Sequence, residues 1–183
     1  EGFAEKIVAD TVAEFGGIDI LVLNAAYQRD RDSLAELETA EFDRTFRTNL
    51  YGLIFSARAA MEHLDAGSAI IVTSSIQAFD PSPGLLDYAM TKAAQVAFVR
   101  AMAQDLGPRG IRVNAVAPGP IWTPLIPASF EDDKVAEFGN QVPMKRPGQP
   151  SEIGPAYVYL ASEESSYMSG QTMHLNGGVI LNT

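Results

Sequence analysis

The sequence contains no cysteine, which excludes disulfide bonds, thiolate catalysis and thiolate metal sites. Basic residues are also scarce, since 13 Lys and Arg stand against 23 Asp and Glu, a formal net charge of −10 at pH 7. So acidic a surface repels phosphate backbones and anionic lipid headgroups. The composition therefore argues against nucleic-acid and membrane partners.

Long apolar runs are absent as well, and none approaches the roughly 20 residues that a membrane span needs. The first residues, EGFAEKIVADTVAEFGG, lack the basic-then-apolar order of a signal peptide. We therefore predict a cytoplasmic protein.

What the sequence does contain is sufficient apolar material for one packed domain, because 46% of its 183 residues are hydrophobic and 20% are charged. Short apolar strands are predicted at residues 18–23, 69–73, 111–117 and 171–175. Helices are predicted over residues 3–15, 39–64, 87–106 and 151–162. This alternation predicts an α/β fold, a Rossmann-like doubly wound parallel sheet with helices on both faces, in one domain spanning residues 1–183.

The Pro-rich stretch 118–150 is too long for a passive connection in a compact domain. Loops of this length are usually lids or binding loops, so we predict a substrate-binding region here. A short helix is expected within it, near residues 132–138.

A glycine-rich phosphate turn is missing. Open sheets that bind nucleotides normally begin with a strand, such a turn and a helix, whereas this chain begins with a helix and contains no G-x-G-x-x-G. Either the sheet lacks the turn by nature, or N-terminal βαβ units of about 30 residues or more are missing from this chain. The second interpretation is favoured by the candidate catalytic residues described next.

Tyr88 and Lys92 are four residues apart on a predicted helix, so their side chains share one face. A phenol titrates near about 10, and a neighbouring ammonium favours the phenolate and lowers that pKa. Ser75 follows the strand 69–73, at the edge where the carboxyl ends of parallel strands meet. These residues predict proton exchange with one substrate oxygen. Taken singly, they also fit an ordinary helix surface and an ordinary turn.

Six segments, in this order and spacing, resemble the short-chain dehydrogenase/reductase family over the whole chain. They are LNAA (23–26), NLYG (49–52), TSS (73–75), YAMTK (88–92), RVNAVAPGPIWTP (112–124) and SGQTMHLNGG (169–178). The runs NAAYQ, PGPIWTPLIP and QVPMKRPGQP are similar to one bacterial branch, the general-stress-type and aldehyde-reductase-type oxidoreductases.

The resemblance implies an NAD(P)-dependent oxidoreductase that interconverts an alcohol and an aldehyde or ketone by hydride transfer. Tyr88 would be the general acid/base, and Lys92 would lower its pKa and bind the nicotinamide ribose. Ser75 would orient the substrate oxygen, and Asn49 would hold a water in the proton relay.

The same resemblance implies cofactor contacts at Tyr88 and Lys92 and at two predicted strand ends. Asn24 and Ala25 would line the adenosine side. The nicotinamide and pyrophosphate side would be formed by Pro118, Gly119, Ile121 and Thr123. The cofactor would be NAD or NADP, with NADP favoured, and the partners a small alcohol or carbonyl substrate and further copies in a homotetramer or homodimer. No metal site is predicted.

Two departures from the family pattern are Ala26 where it has glycine and Asn176 where it has aspartate. The glycine-rich loop and the residue that separates NAD from NADP would precede Glu1. Two other functions therefore stay open: a truncated or inactive remnant that acts through oligomer contacts, and a dehydratase or epimerase on the same scaffold.

Overall fold

The computed structural model describes residues 1–181 of the chain. Its helices and strands are, in chain order, α1 Gly2–Phe15, β1 Ile20–Leu23, α2 Thr39–Phe46, α3 Gly52–Ala60, β2 Ala69–Thr73, α4 Leu86–Leu106, β3 Arg112–Pro118, α5 Asp132–Ala136, α6 Pro150–Ala161 and β4 Thr172–Leu175. In this part of the chain, no helix is both long and apolar enough to cross a bilayer.

The four strands form one parallel sheet in the order β1-β2-β3-β4. Leu23 pairs with Val72, Thr73 with Val116, and Pro118 with Leu175. The segments that follow β1, β2 and β3 therefore leave the sheet at one edge, where parallel sheets bind ligands. The predicted α/β fold with helices on both faces is confirmed.

Each face of the sheet carries its own hydrophobic core. Alternating β2 residues divide between the two: Ile70 packs with residues of α1, α3 and α4, and Ile71 packs with residues of α6. The prediction that residues 18–23 are buried on both faces was wrong, because Ile20 and Val22 are half-exposed. The α6 core covers β2 and β3 and does not include these two side chains.

The long helix predicted over residues 39–64 is interrupted. A π-helical segment, Arg47–Tyr51, separates α2 from α3, and a 3₁₀ turn, Met61–His63, follows α3. Short π-helical segments within α-helices frequently lie at functional sites. Asn49 lies in this segment and is completely buried.

Beyond β3, the chain turns tightly and then crosses the sheet edge. A Cβ atom on Gly119 would lie 2.6 Å from the Cα of Asn176, so only glycine fits this close approach. Further along, Lys134 of α5 reaches Asp30 in the segment after β1, with Nζ 2.5 Å from Oδ2. The long segment 119–149 is thereby joined to the segment after β1.

Candidate active site

A cavity of about 1570 Å³ opens at the carboxyl edge of the sheet. Its walls are the ends of β1, β2 and β3, the start of α4 and parts of the segment 119–149. The predicted site residues that line it are Asn24, Ala25, Ser75, Tyr88, Lys92, Pro118, Gly119, Ile121 and Thr123. The structure thus brings together all of the predicted site residues except Asn49, whose side chain is not part of this wall.

Lys92 enters the cavity wall from the second turn of α4, and only 1% of its surface is exposed. Its Nζ donates to the Thr73 carbonyl oxygen at 2.6 Å and to Gln95 Oε1 at 3.1 Å. Among the described residues, none of the ion pairs includes Lys92. Burial without a carboxylate partner lowers the pKa of Lys92 to about 7.

Tyr88 lies one turn before Lys92, and its ring centroid is 5.3 Å from Lys92 Nζ. Burial raises the pKa of Tyr88 to about 12, and hydrogen bonding by the Ser75 side chain offsets only part of that rise. The expected lowering of this pKa is therefore not found, because burial of the phenol outweighs the effect of its neighbours. At neutral pH, Tyr88 carries its proton.

Ser75 ends the segment that leaves β2 and begins a 3₁₀ turn, Ile76–Ala78. Its Oγ accepts a hydrogen bond from the Gln77 N–H at 3.2 Å, so its own hydroxyl proton remains available to another acceptor. The preceding Ser74 has a different role, since its Oγ donates to the Lys92 carbonyl oxygen at 3.0 Å. Ser74 thus connects the end of β2 to α4.

A chain of hydroxyl groups joins β2 to α6 in the wall of the cavity. Thr73 Oγ1 donates to Asn24 Oδ1 at 2.8 Å and lies 2.6 Å from the Tyr157 hydroxyl. Because Thr73 has a single hydroxyl proton, Tyr157 is the donor in the second bond. Tyr157 comes from α6 and lines the cavity, yet nothing in its local sequence indicated this position.

The side chain of Asn49 is committed to structural contacts. Its Nδ2 donates to the Tyr27 carbonyl oxygen and to Thr91 Oγ1, both at 2.9 Å, and its Oδ1 accepts from the Tyr27 N–H at 2.7 Å. These bonds hold the segment after β1 against α4. The role predicted for Asn49 in a water relay stays a prediction.

The residue before Tyr88 is held by an ion pair that the sequence did not reveal. Asp87 is completely buried; its Oδ1 accepts from Arg31 Nη1 at 3.0 Å and its Oδ2 accepts from Thr45 Oγ1 at 2.6 Å. The Arg31 N–H also donates to the Gly84 carbonyl oxygen at 3.1 Å. The start of α4, which carries Tyr88, is thereby fixed from two directions.

Removing this carboxylate should strongly destabilise the fold. In Asp87→Ala, the buried Arg31 guanidinium loses its hydrogen-bonded carboxylate and keeps only the more distant Glu41, whose Oε2 lies 3.7 Å from Nη2. Removing one partner of a buried ion pair typically costs about 3–5 kcal/mol, and we expect a loss toward the lower end of that range. Urea denaturation at neutral pH measures this loss. As a control, Lys6→Ala breaks the exposed Lys6–Asp10 pair and should leave the free energy of unfolding nearly unchanged. Equal losses in both variants would contradict the account.

The cavity suits the nicotinamide and ribose half of NAD(P). A buried ammonium, a neutral phenol and a serine hydroxyl lie on one wall, which is a donor set for ribose hydroxyls and a substrate oxygen. Within residues 1–181, no strand is followed by a glycine-rich turn into a helix. In the same range, no three His, Asp or Glu side chains are grouped as metal ligands would be.

Comparison with known proteins agrees with this geometry. A family model described as "Enoyl-(Acyl carrier protein) reductase" matches residues 1–180. General stress protein 39 of Bacillus subtilis (strain 168) is 52% identical over 183 residues, which is 100% of this chain and 64% of that protein. The NADPH-dependent aldehyde reductase 1, chloroplastic, of Arabidopsis thaliana is 49% identical over 185 residues, covering 99% of this chain and 64% of the relative.

Solved structures agree as well. A short-chain dehydrogenase from Burkholderia cenocepacia J2315 in complex with NADP superimposes with a TM-score of 0.87, at 32% identity, over 96% of this chain and 71% of that one. The chain spans about 63% of the length of a curated relative to which it is 52% identical. On these matches, the chain belongs to the short-chain dehydrogenase/reductase family.

Proposed function

We propose that this chain carries the catalytic residues of an NAD(P)-dependent oxidoreductase that interconverts an alcohol and an aldehyde or ketone. The observation that supports this most strongly is that Ser75, Tyr88 and Lys92 line one wall of a single cavity. A phenol, an ammonium and a hydroxyl in one cavity wall can transfer a proton to or from a reacting oxygen.

In carbonyl reduction, the bound nicotinamide cofactor supplies the hydride. Tyr88 donates its phenolic proton to the carbonyl oxygen as negative charge develops there. Ser75 donates a hydrogen bond to the same oxygen, since its proton is not used by Gln77. Lys92, held by the Thr73 carbonyl, provides in its protonated form a nearby cation that stabilises the phenolate left behind.

The two directions should differ in their dependence on pH. With the pKa of Tyr88 raised to about 12, the phenol is protonated at neutral pH and is ready to act as an acid. Alcohol oxidation needs the phenolate, whose fraction grows as pH rises toward that value. We expect the initial rate of alcohol oxidation to increase with pH above neutral, while carbonyl reduction does not. Steady-state rates in both directions test this, and an oxidation rate that falls with rising pH would contradict it.

NADP is the favoured cofactor in this proposal, because one relative is named NADPH-dependent and one matching structure contains NADP. The segment 118–150 is proposed to bind the substrate, since Trp122 and Phe130 both pack on Phe138 beside the cavity. A small carbonyl compound with an apolar part suits such a wall. Assembly into a homotetramer or homodimer, and a cytoplasmic location, also stay proposals.

Cofactor titration of the full encoded polypeptide tests the proposal. Fluorescence titration with NADPH and NADH should show saturable binding, and aldehydes should then cause the reduced-cofactor absorbance to fall. Saturable binding without turnover of any carbonyl or alcohol would favour a dehydratase or epimerase. No binding of either nucleotide would favour an inactive remnant and would overturn the proposal.

A further inference from the structure

Gln95 forms a contact that the mechanism above does not use. It lies three residues after Lys92 on α4, with 2% of its surface exposed. Its Oε1 accepts a hydrogen bond from Lys92 Nζ at 3.1 Å, and its Nε2 donates to the main-chain carbonyl oxygen of Asn49 at 2.9 Å. One amide thus connects the buried ammonium to the π-helical segment Arg47–Tyr51.

The connection fixes the Lys92 head group. An ammonium has three N–H donors, and two of them are taken by the Thr73 carbonyl and by Gln95. The third is the only one left for a ligand in the cavity that Lys92 lines. Because both acceptors belong to packed elements of regular structure, Thr73 at the end of β2 and the buried Gln95 in α4, the direction of that third N–H is fixed as well.

We propose that Gln95 is a positioning residue. Its side chain bridges Asn49 and Lys92 without an intervening water and directs the remaining Lys92 N–H toward the reacting groups. The family resemblance implies that Asn49 holds a water. Here the Gln95 side chain donates a hydrogen bond to the main-chain carbonyl oxygen of Asn49. This inference rests on the proposed function for its effect on turnover, but its effect on Lys92 is independent of turnover.

Few ionisable groups surround Lys92, so a change in its titration can be interpreted. Tyr88 faces the ammonium from its own helix, β2 presents the Thr73 carbonyl, and the π-helical segment contacts Gln95 through the main-chain carbonyl of Asn49. Burial is the cause that lowers the pKa of Lys92. Loss of an acceptor at Nζ should therefore appear directly in the protonation of this lysine.

The experiment compares Gln95→Leu with Gln95→Glu and with Gln104→Leu, a matched control at an exposed position of α4. In the full encoded chain, the ¹⁵N signal of Lys92 Nζ is titrated by NMR, and kcat/KM for aldehyde reduction with NADPH is measured against pH. Gln95→Leu should move the Lys92 titration to lower pH by about one pH unit, because a hydrogen bond to the charged form is lost. Its kcat/KM at neutral pH should fall about tenfold.

Gln95→Glu retains an acceptor and should titrate at or above the wild-type pH, and the control should match the wild type. An unchanged Lys92 titration in Gln95→Leu overturns the inference, even if thermal stability or activity falls. Should Gln95→Leu fail to fold, a Gln95→Glu titration below the wild-type value overturns it instead. If the wild type shows no turnover, the proposed function fails, while the Lys92 titration still decides the role of Gln95.

Discussion

Tyr88→Phe should abolish carbonyl reduction while leaving the fold intact. Phenylalanine fills the same buried space at the start of α4 and removes only the hydroxyl that hydrogen bonds with Ser75. Proton donation by a positioned side chain typically contributes about 10²–10⁴-fold to a rate. In the proposed mechanism, Lys92 does not donate a proton to the substrate and so cannot replace Tyr88. The measurement is kcat/KM for an aldehyde with NADPH, together with the melting temperature.

The matched control is Tyr157→Phe, which also removes a phenolic hydroxyl from the wall of this cavity. That hydroxyl donates to Thr73 and is not placed at the reacting oxygen, so most of the activity should remain. If Tyr88→Phe retained activity within a few-fold of the wild type, or if both variants lost it equally, the assignment of Tyr88 as the proton donor would be wrong.

Lys92→Met should lower activity without lowering stability. Activity should fall by about two orders of magnitude or more, because the cation beside Tyr88 and the proposed donor to the cofactor ribose are both lost. Stability at neutral pH and below should not fall, because the wild type must bury a charged ammonium whose acceptors, among residues 1–181, are Thr73 and Gln95. The free energy of unfolding and kcat/KM measure the two effects.

The buried lysine also predicts the direction in which stability changes with pH. The pKa of Lys92 is lowered from 10.5 to about 7 in the folded chain, so between these values the unfolded chain binds one more proton. Wild-type stability should therefore rise with pH across this interval, and Lys92→Met should lack this component. Lys134→Met, at an exposed position on α5, is the control and should retain it. Identical pH profiles for the wild type and Lys92→Met would contradict the burial of an unpaired ammonium.

The convergence of Ser75, Tyr88 and Lys92 on one cavity could be predicted from the sequence because it follows from local rules. Residues four apart share a helix face, and the carboxyl ends of parallel strands share a sheet edge. The roles of these residues remain predictions.

Contacts between distant segments could not be predicted in this way. Gln95 reaches Asn49, and Arg31 reaches Asp87, across 46 and 56 residues of sequence. Neither pair has a pattern that one-dimensional periodicity reveals. The π-helical segment around Asn49 is also invisible to a periodicity of 3.6 residues.

The protonation state of Tyr88 shows a further limit of sequence reasoning. Proximity of an ammonium predicted a lowered pKa, whereas burial of the phenol raises the pKa to about 12. The sequence gives the spacing of charged groups, but the cost of removing them from water depends on packing by the whole fold. Packing by the whole fold also determines the half-exposure of one face of β1, whose apolar residues are typical of a buried strand.

The most direct test of the central claim is the transfer of label from a deuterated reduced nicotinamide to the product. Incubating the full encoded chain with NADPH deuterated at both C4 positions and an aldehyde should give an alcohol that carries one deuterium on the former carbonyl carbon, and Tyr88→Phe should form almost none. Conversion of a carbonyl substrate with all of the deuterium left in the nucleotide would contradict hydride transfer at this site.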